Sequence, residues 1–215
     1  MNVAEVPIMA QRESSATASD TPRSVLVGLI GTGIQASRAP ALHEHEGATQ
    51  NLAYVYRLID LDALGLSADA LPELMAAARR FGFNGLNVTH PCKQTIIPLL
   101  DELSADARAL GAVNAVVFAP DGGTVGHNTD WSGFAESFRR ELADAPRRRV
   151  VQVGAGGAGV AVAHALLTLG AGEVTIVDMN AARAARLAQD LRARFGAGRA
   201  GAARDPARAL AAADG

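Results

Sequence analysis

Lys93 is the residue of this sequence best placed to move a proton, and it sits in a run, Asn87-Val-Thr89-His-Pro91-Cys-Lys93, that also carries an amide and a hydroxyl. Ser37 adds a second hydroxyl, Asn114 a second amide, and the run Asn128-Thr129-Asp130 an amide, a hydroxyl and a carboxylate. Amides and hydroxyls both donate and accept hydrogen bonds, so the set suits a ligand rich in hydroxyl groups, while a lysine brings positive charge and a transferable proton. A second reading stays open on these residues alone: Lys93 as a solvated residue at a helix start, and Asp130 as the N-cap of a helix from Trp131.

A second constellation lies further along the chain. Val150–Val153 leads into Gly154-Ala155-Gly156-Gly157-Ala158-Gly159, a glycine-rich turn between an apolar run and a helical one. In that order Gly154 permits the tight turn, Gly156 lets a pyrophosphate approach the backbone, and Gly159 brings helix and strand close. The N–H groups of Ala155, Gly157 and Ala158 are then exposed at the positive end of a helix, where phosphate binds. Asp178 ends the next strand, where an acid accepts hydrogen bonds from the ribose hydroxyls of NAD. A 2′-phosphate beside it would meet like charge at a cost of order 1–4 kcal/mol. Arg183 and Arg186 are the groups that would offset this, so NADP stays open as the second cofactor.

These side chains need strand ends to hold them. Ser24–Gly31, Ala53–Asp60 and Phe83–Val88 read as strands, with helices over Pro40–Gln50 and Ala70–Phe81, the latter apolar at Leu71, Leu74, Met75 and Ala78. Further helices are expected near Pro91, over Leu103–Leu110 and over Trp131–Leu142, and a hairpin joins Ala112–Ala119 to Thr124–His127 through Pro-Asp-Gly-Gly. Past the charged stretch Ala143–Arg149 come strand Val150–Val153, helix Gly157–Leu169, strand Glu173–Val177 and helix Ala181–Phe195, a βαβα pattern. Gly196–Gly215, rich in Ala, Gly and Arg, carries no expected element. The fold class is α/β: an N-terminal α/β substrate domain over residues 24–143, then an incomplete Rossmann, doubly wound dinucleotide-binding domain over residues 149–215. Residues 1–23 read as a disordered extension.

Bulk properties exclude several partners. A net charge of -2 leaves no surplus to hold a nucleic acid backbone or an anionic membrane. No apolar run approaches the roughly 20 residues of a bilayer span. Met1–Arg23 lacks the apolar core of a signal peptide, and the single Cys92 fits a reducing compartment, so the expected location is the cytoplasm. His43-Glu44-His45-Glu46 invites a metal, but positions 43 and 45 point about 200° apart on a helix and cannot face one ion. No metal is expected.

The runs Gly85-Leu-Asn87-Val-Thr89-His-Pro91-Cys-Lys93, Gly111-Ala-Val-Asn114 and Gly126-His-Asn128-Thr129-Asp130-Trp-Ser-Gly133 resemble the shikimate dehydrogenase family, over about residues 25–215. The resemblance implies hydride exchange between NAD or NADP and a cyclic polyol carboxylate, shikimate or quinate. It implies Lys93 and Asp130 as the catalytic pair, and Ser37, Asn87, Thr89 and Asn114 as substrate contacts. Ile30-Gly-Thr-Gly-Ile34, Leu42-His-Glu-His-Glu-Gly47 and Asp178 resemble the quinate/shikimate branch that prefers NAD, whereas Ser37-Arg38-Ala39-Pro40 lacks a second serine many members carry.

Members of the family continue through further Rossmann strands and finish with helices that return to the first domain and supply a glutamine. The chain therefore reads as truncated, and the isolated polypeptide is expected to fold poorly and turn over slowly. A homodimer stays open as the assembly. Two rivals remain: a folate-type dehydrogenase of similar layout, and a nucleotide-binding remnant without catalysis.

Overall fold

The computed structural model describes residues 22–214. The extension expected over residues 1–23 falls outside them except for its last two residues, and Arg23 already belongs to a strand. In chain order the elements are β1 (Arg23–Gly31), α1 (Ala39–Thr49), β2 (Leu52–Asp60), α2 (Leu61–Leu64), α3 (Leu71–Arg80), β3 (Gly85–Val88), α4 (Cys92–Thr95), β4 (Glu102–Leu103) and α5 (Ala105–Leu110). There follow β5 (Ala115–Phe118), β6 (Thr124–His127), α6 (Asp130–Glu141), β7 (Arg149–Val153), α7 (Gly157–Thr168), β8 (Glu173–Val177), α8 (Ala181–Phe195), β9 (Ala200–Ala202) and α9 (Pro206–Ala211).

Local chemistry sets many of these limits. Ser104 accepts a hydrogen bond from the Ala107 N–H and so starts α5 two residues later than the sequence suggests, while Gly111 ends it in the left-handed region at φ 60°. Asn180 caps α8 by accepting from the N–H groups of Ala182 and Arg183. Gly196–Gly215 is a correction. The segment does carry structure, since β9 pairs in parallel with β8 and Asp205 caps α9 by accepting the Arg208 N–H, with Pro206 in its first turn. The second unit is therefore βαβαβα. A strand spelled Ala-Gly-Ala has none of the β-branched residues that announce one.

The strands form two sheets. The first has order β2-β1-β3-β5-β6-β4 and the second β7-β8-β9. In the first, β2, β1 and β3 run parallel, β5 is antiparallel to β3, and β6 is antiparallel to β5. Consequently β1, β3 and β6 all end at the same edge, and β5 begins there. One face packs Leu71, Met75 and Ala78 of α3 against Ile30, Leu86 and Val88, and the other packs Leu29, Ile34 and Tyr56 beneath α1. Leu71 is fully buried, a burial worth about 1.5–3 kcal/mol.

The second sheet packs a core on one face, while across a groove on the other stands α9, past which Asp214 bonds back to Arg149 of β7. Val150, Val174 and Ile176 pack against Ala163, Leu166 and Leu167 of α7 and Ala184, Leu187 and Leu191 of α8, and Phe134 and Phe138 of α6 join that core. Helix α6 thus ties the two units together. The other face opens into a groove of about 470 Å³ lined by Val151, Glu173, Thr175, Arg204 and Arg208 among others. Among the described residues no helix is long and apolar enough to cross a membrane.

Candidate active site

Because β1, β3 and β6 end together, the loops that follow them converge. The loop after β1 carries Ser37, that after β3 carries Thr89 and Lys93, that after β6 carries Asp130, and Asn114 immediately precedes β5. The backbone binds these loops to one another. Thr89 donates its N–H to the Ile30 carbonyl, Val113 to Lys93, Val88 to Asn114, and Asn114 to His127. Gly31 is required here, since a Cβ at that position would lie 2.3 Å from Thr89 Cγ2.

At the centre, Lys93 Nζ donates to Asp130 Oδ2 at 2.5 Å, with the two side chains 17% and 31% exposed. The other carboxylate oxygen accepts from Asn114 Nδ2 at 2.8 Å, and Asn114 Oδ1 accepts the Thr129 N–H at 2.9 Å. Asn128, fully enclosed, donates to the Ala112 carbonyl and accepts the Asp130 N–H, which fixes the backbone beneath the carboxylate. The N-cap reading of Asp130 does not hold. The cap position belongs to Thr129, with no side-chain cap bond, and the Asp130 carboxylate spends its hydrogen bonds on Lys93 and Asn114.

The remaining expected contacts surround this pair. Asn87 lies within reach of the Asn114 carbonyl, at 3.5 Å from its Nδ2, and its Oδ1 accepts from the Tyr56 hydroxyl at 2.7 Å. Ser37 accepts the Ala39 N–H at 3.2 Å and has no side-chain bond to the Lys93–Asp130 pair, and the Thr89 hydroxyl bonds to nothing among the described residues. Asp60, which the sequence reading passed over, is buried and holds the Ser37 loop by accepting the N–H groups of Gly33 and Ile34 and the Gln35 amide. Burial would push its carboxyl up, but the hydrogen bonds from Gln35, Asp62, Gly33 and Ile34 together outweigh that and hold it below the usual carboxylate value.

Lys93 also reaches the glycine-rich loop. A Cβ on Gly157 would lie 3.4 Å from Lys93 Cδ, so the lysine side chain stands at the N-terminus of α7. Gly154 adopts φ 106°, a Cβ on Gly159 would collide with the Gly154 carbonyl at 2.3 Å, and a Cβ on Gly156 would meet nothing within 4 Å. That open space beside helix amides is the form a pyrophosphate site takes. Gln152 was also missed. It is buried in β7 and donates to the carbonyls of Gly154 and Gly159, both at 2.8 Å, bracing the loop from below.

Asp178 accepts the Ala155 N–H and the Asn180 N–H, each at 2.7 Å. These two bonds, with Arg183 nearby, hold its carboxyl below the usual value. A carboxylate has about four acceptor positions, so two remain for a ligand. The residues present fit a dinucleotide. His43 stacks on Tyr56 with ring centroids 4.8 Å apart. The large groove on the open face of the second sheet is lined by none of these residues.

Comparison with known proteins gives the relatives of this chain. The family model described as the shikimate dehydrogenase substrate binding domain matches residues 29–116. A shikimate dehydrogenase (NADP(+)) of Streptomyces avermitilis is 62% identical over 183 residues, 85% of this chain and 62% of the relative. A quinate/shikimate dehydrogenase (NAD(+)) of Corynebacterium efficiens is 51% identical over 80% of this chain and 61% of its own. The solved quinate dehydrogenase of Corynebacterium glutamicum in complex with NAD superposes with a TM-score of 0.79 at 47% identity, covering 89% of this chain and 68% of that one. The chain thus spans about 62% of the length of the first of these curated relatives.

Proposed function

We propose that this chain, which belongs to the shikimate dehydrogenase family, carries the acid–base pair and the dinucleotide loop for reversible hydride transfer between NAD and a shikimate- or quinate-type polyol carboxylate. The observation that supports this most is the single network Lys93–Asp130–Asn114 placed against Gly157, where proton transfer and a bound dinucleotide meet.

When bound, the nicotinamide ring supplies a carbon that takes up or gives back hydride. The protein's own part is the proton. Oxidation of a carbinol removes the hydroxyl proton as well as the hydride; Lys93 Nζ, once it has released a proton to solvent and stands as the amine, takes that proton, and as the ammonium it gives one to the carbonyl oxygen in the reverse direction. Asp130 holds Lys93 in place, and Asn114 holds Asp130. Asn87, Thr89 and Ser37 present amide and hydroxyl groups to the ring hydroxyls and carboxylate. The helix amides from Gly156 to Ala158 would face the pyrophosphate, the Ala155 N–H expected to join them being taken by Asp178, and the free acceptor positions of Asp178 would take the ribose hydroxyls.

NADP is the second reading, favoured by Arg183 beside Asp178 and by the Streptomyces relative's cofactor. The test follows the absorbance of reduced nicotinamide with each cofactor and with shikimate or quinate. NAD reduction that falls by at least about 10³ in Lys93→Ala supports the reading. A rate unchanged in that variant would refute the role of Lys93, and a preference for NAD kept undiminished in Asp178→Ala would refute that of Asp178.

A further inference from the structure

Tyr56 lies on β2, the edge strand of the first sheet, yet it is 4% exposed. Three contacts hold it. Its ring stacks on His43 of α1 at 4.8 Å with an interplanar angle of 23°, its N–H donates outward to Glu44 Oε1 at 3.0 Å, and its hydroxyl donates to Asn87 Oδ1 at 2.7 Å. In the register Tyr56 stands opposite Val27, and Asn87 opposite Leu29 two residues on, so the phenol reaches across the whole of β1 to touch β3. The His-Glu pair that looks like a metal motif in the sequence is therefore the support of a tyrosine.

The Asn114 carbonyl decides the orientation of the Asn87 amide, and the phenol, able to donate or to accept, holds the amide there. An amide turned through 180° exchanges a donor for an acceptor, and its environment chooses between the two. On one side of Asn87 stands the phenol; on the other, 3.5 Å from Nδ2, stands the Asn114 carbonyl, which can only accept. Turned over, Asn87 would set oxygen against oxygen at Asn114. As found, both neighbours are satisfied, and one N–H and one acceptor position of the amide are left for a ligand. Burial, reinforced by neighbouring Tyr54, raises the phenol pKa, so the group remains a donor across the working pH range.

We propose that Tyr56 is a positioning residue that holds the Asn87 amide in the place and with the polarity the Asn114 carbonyl sets, and so keeps its remaining hydrogen bonds aimed at a substrate ring hydroxyl. The inference rests on the polyol reading above. A site built around one fixed donor and acceptor pattern discriminates strongly among hydroxylated rings, because the wrong isomer leaves an enclosed polar group unpaired.

The experiment is calorimetric titration of the full chain with shikimate, with quinate and with NAD, for the parent protein, Tyr56→Phe, Asn87→Ala and the double variant. Loss of one oriented hydrogen bond predicts polyol binding weaker by about tenfold in Tyr56→Phe, with NAD affinity unchanged and the thermal midpoint lower by only a few degrees. In the Asn87→Ala background the same substitution should add less than about twofold, since the two residues act through one contact. Equal polyol affinity in parent and Tyr56→Phe, or fully additive losses in the double variant, overturns the inference and leaves the functional reading standing. A parent protein that binds neither polyol overturns that reading, and the inference with it.

Discussion

A carboxylate that accepts from an ammonium on one oxygen and from an amide on the other has little freedom left, and Asp130 is in that state between Lys93 and Asn114. Its partners explain why the charge is tolerated at a site only partly open to water: each oxygen has a donor, and the first turn of α6 favours an anion. Its place in the network also predicts what its removal does. Asp130→Asn keeps the shape and loses the charge that holds Lys93, so kcat should fall by about 10²–10⁴ while NAD affinity stays within a factor of about two, as read by steady-state rates and by titration. A proportionate loss in both quantities would mean that Asp130 supports the fold and has no part in the proton path.

At the scale of elements, α6 and α7 form the joint between the units, and His164 of α7 lies in it. Trp131 of α6 and Phe195 of α8 meet its ring edge to face at 5.3 and 5.2 Å, and Arg194 lies 3.2 Å from Nδ1. Burial first, and then Arg194, lower its pKa below 6.5, while Asp106 of α5 opposes this. The folded state therefore binds fewer protons than the unfolded one. Its contribution to stability is complete above about pH 6.5 and is lost as pH falls through the lower folded-state value. Urea midpoints of the parent should drop relative to His164→Gln over that interval; curves that remain parallel would contradict the assignment.

The same scale shows what a sequence makes legible. β8 and α8 are found at the limits the residues suggest, because an apolar run and an Asn180 cap state them in local terms. The Gly154–Gly159 turn is readable for the same reason. β9 was hidden, since Ala-Gly-Ala forms a strand only because β8 offers it a partner, whereas α9 was missed although Asp205-Pro206, a cap followed by a first-turn proline, is a local signal for it. The Lys93–Asp130 contact depends on three strands ending at one edge, which no local pattern encodes; the motif resemblance, and not the spacing, paired those residues. Asp60 and Tyr56 escaped notice because their roles exist only across strands, and Gln152 because its amide turns back on the loop after its own strand, where an apolar residue is the usual occupant.

For the whole molecule, the two sheets differ in what encloses them. The first is packed on both faces and the second on one, with Val153 73% exposed and the groove open beside Val151 and Thr175. Parallel sheets ordinarily bury both faces. Amide hydrogen exchange should accordingly be slower by at least about tenfold in β1 and β3 than in β7 and β8, and saturating NAD should narrow the gap by protecting β7 and the turn after it. Equal protection without ligand would show that α7 and α8 alone suffice to hold the second sheet.

The central claim is that hydride passes directly between a polyol carbinol and a nicotinamide held by one chain, and isotope transfer tests it most directly. Protein in excess is incubated with NAD and with quinate or shikimate deuterated at the reacting carbinol carbon, and the reduced cofactor is weighed by mass spectrometry. One deuterium per reduced nicotinamide, with none appearing from deuterated solvent, is the result the account predicts. Reduced cofactor that carries solvent hydrogen at the transferred position, or no label with either polyol, would contradict it.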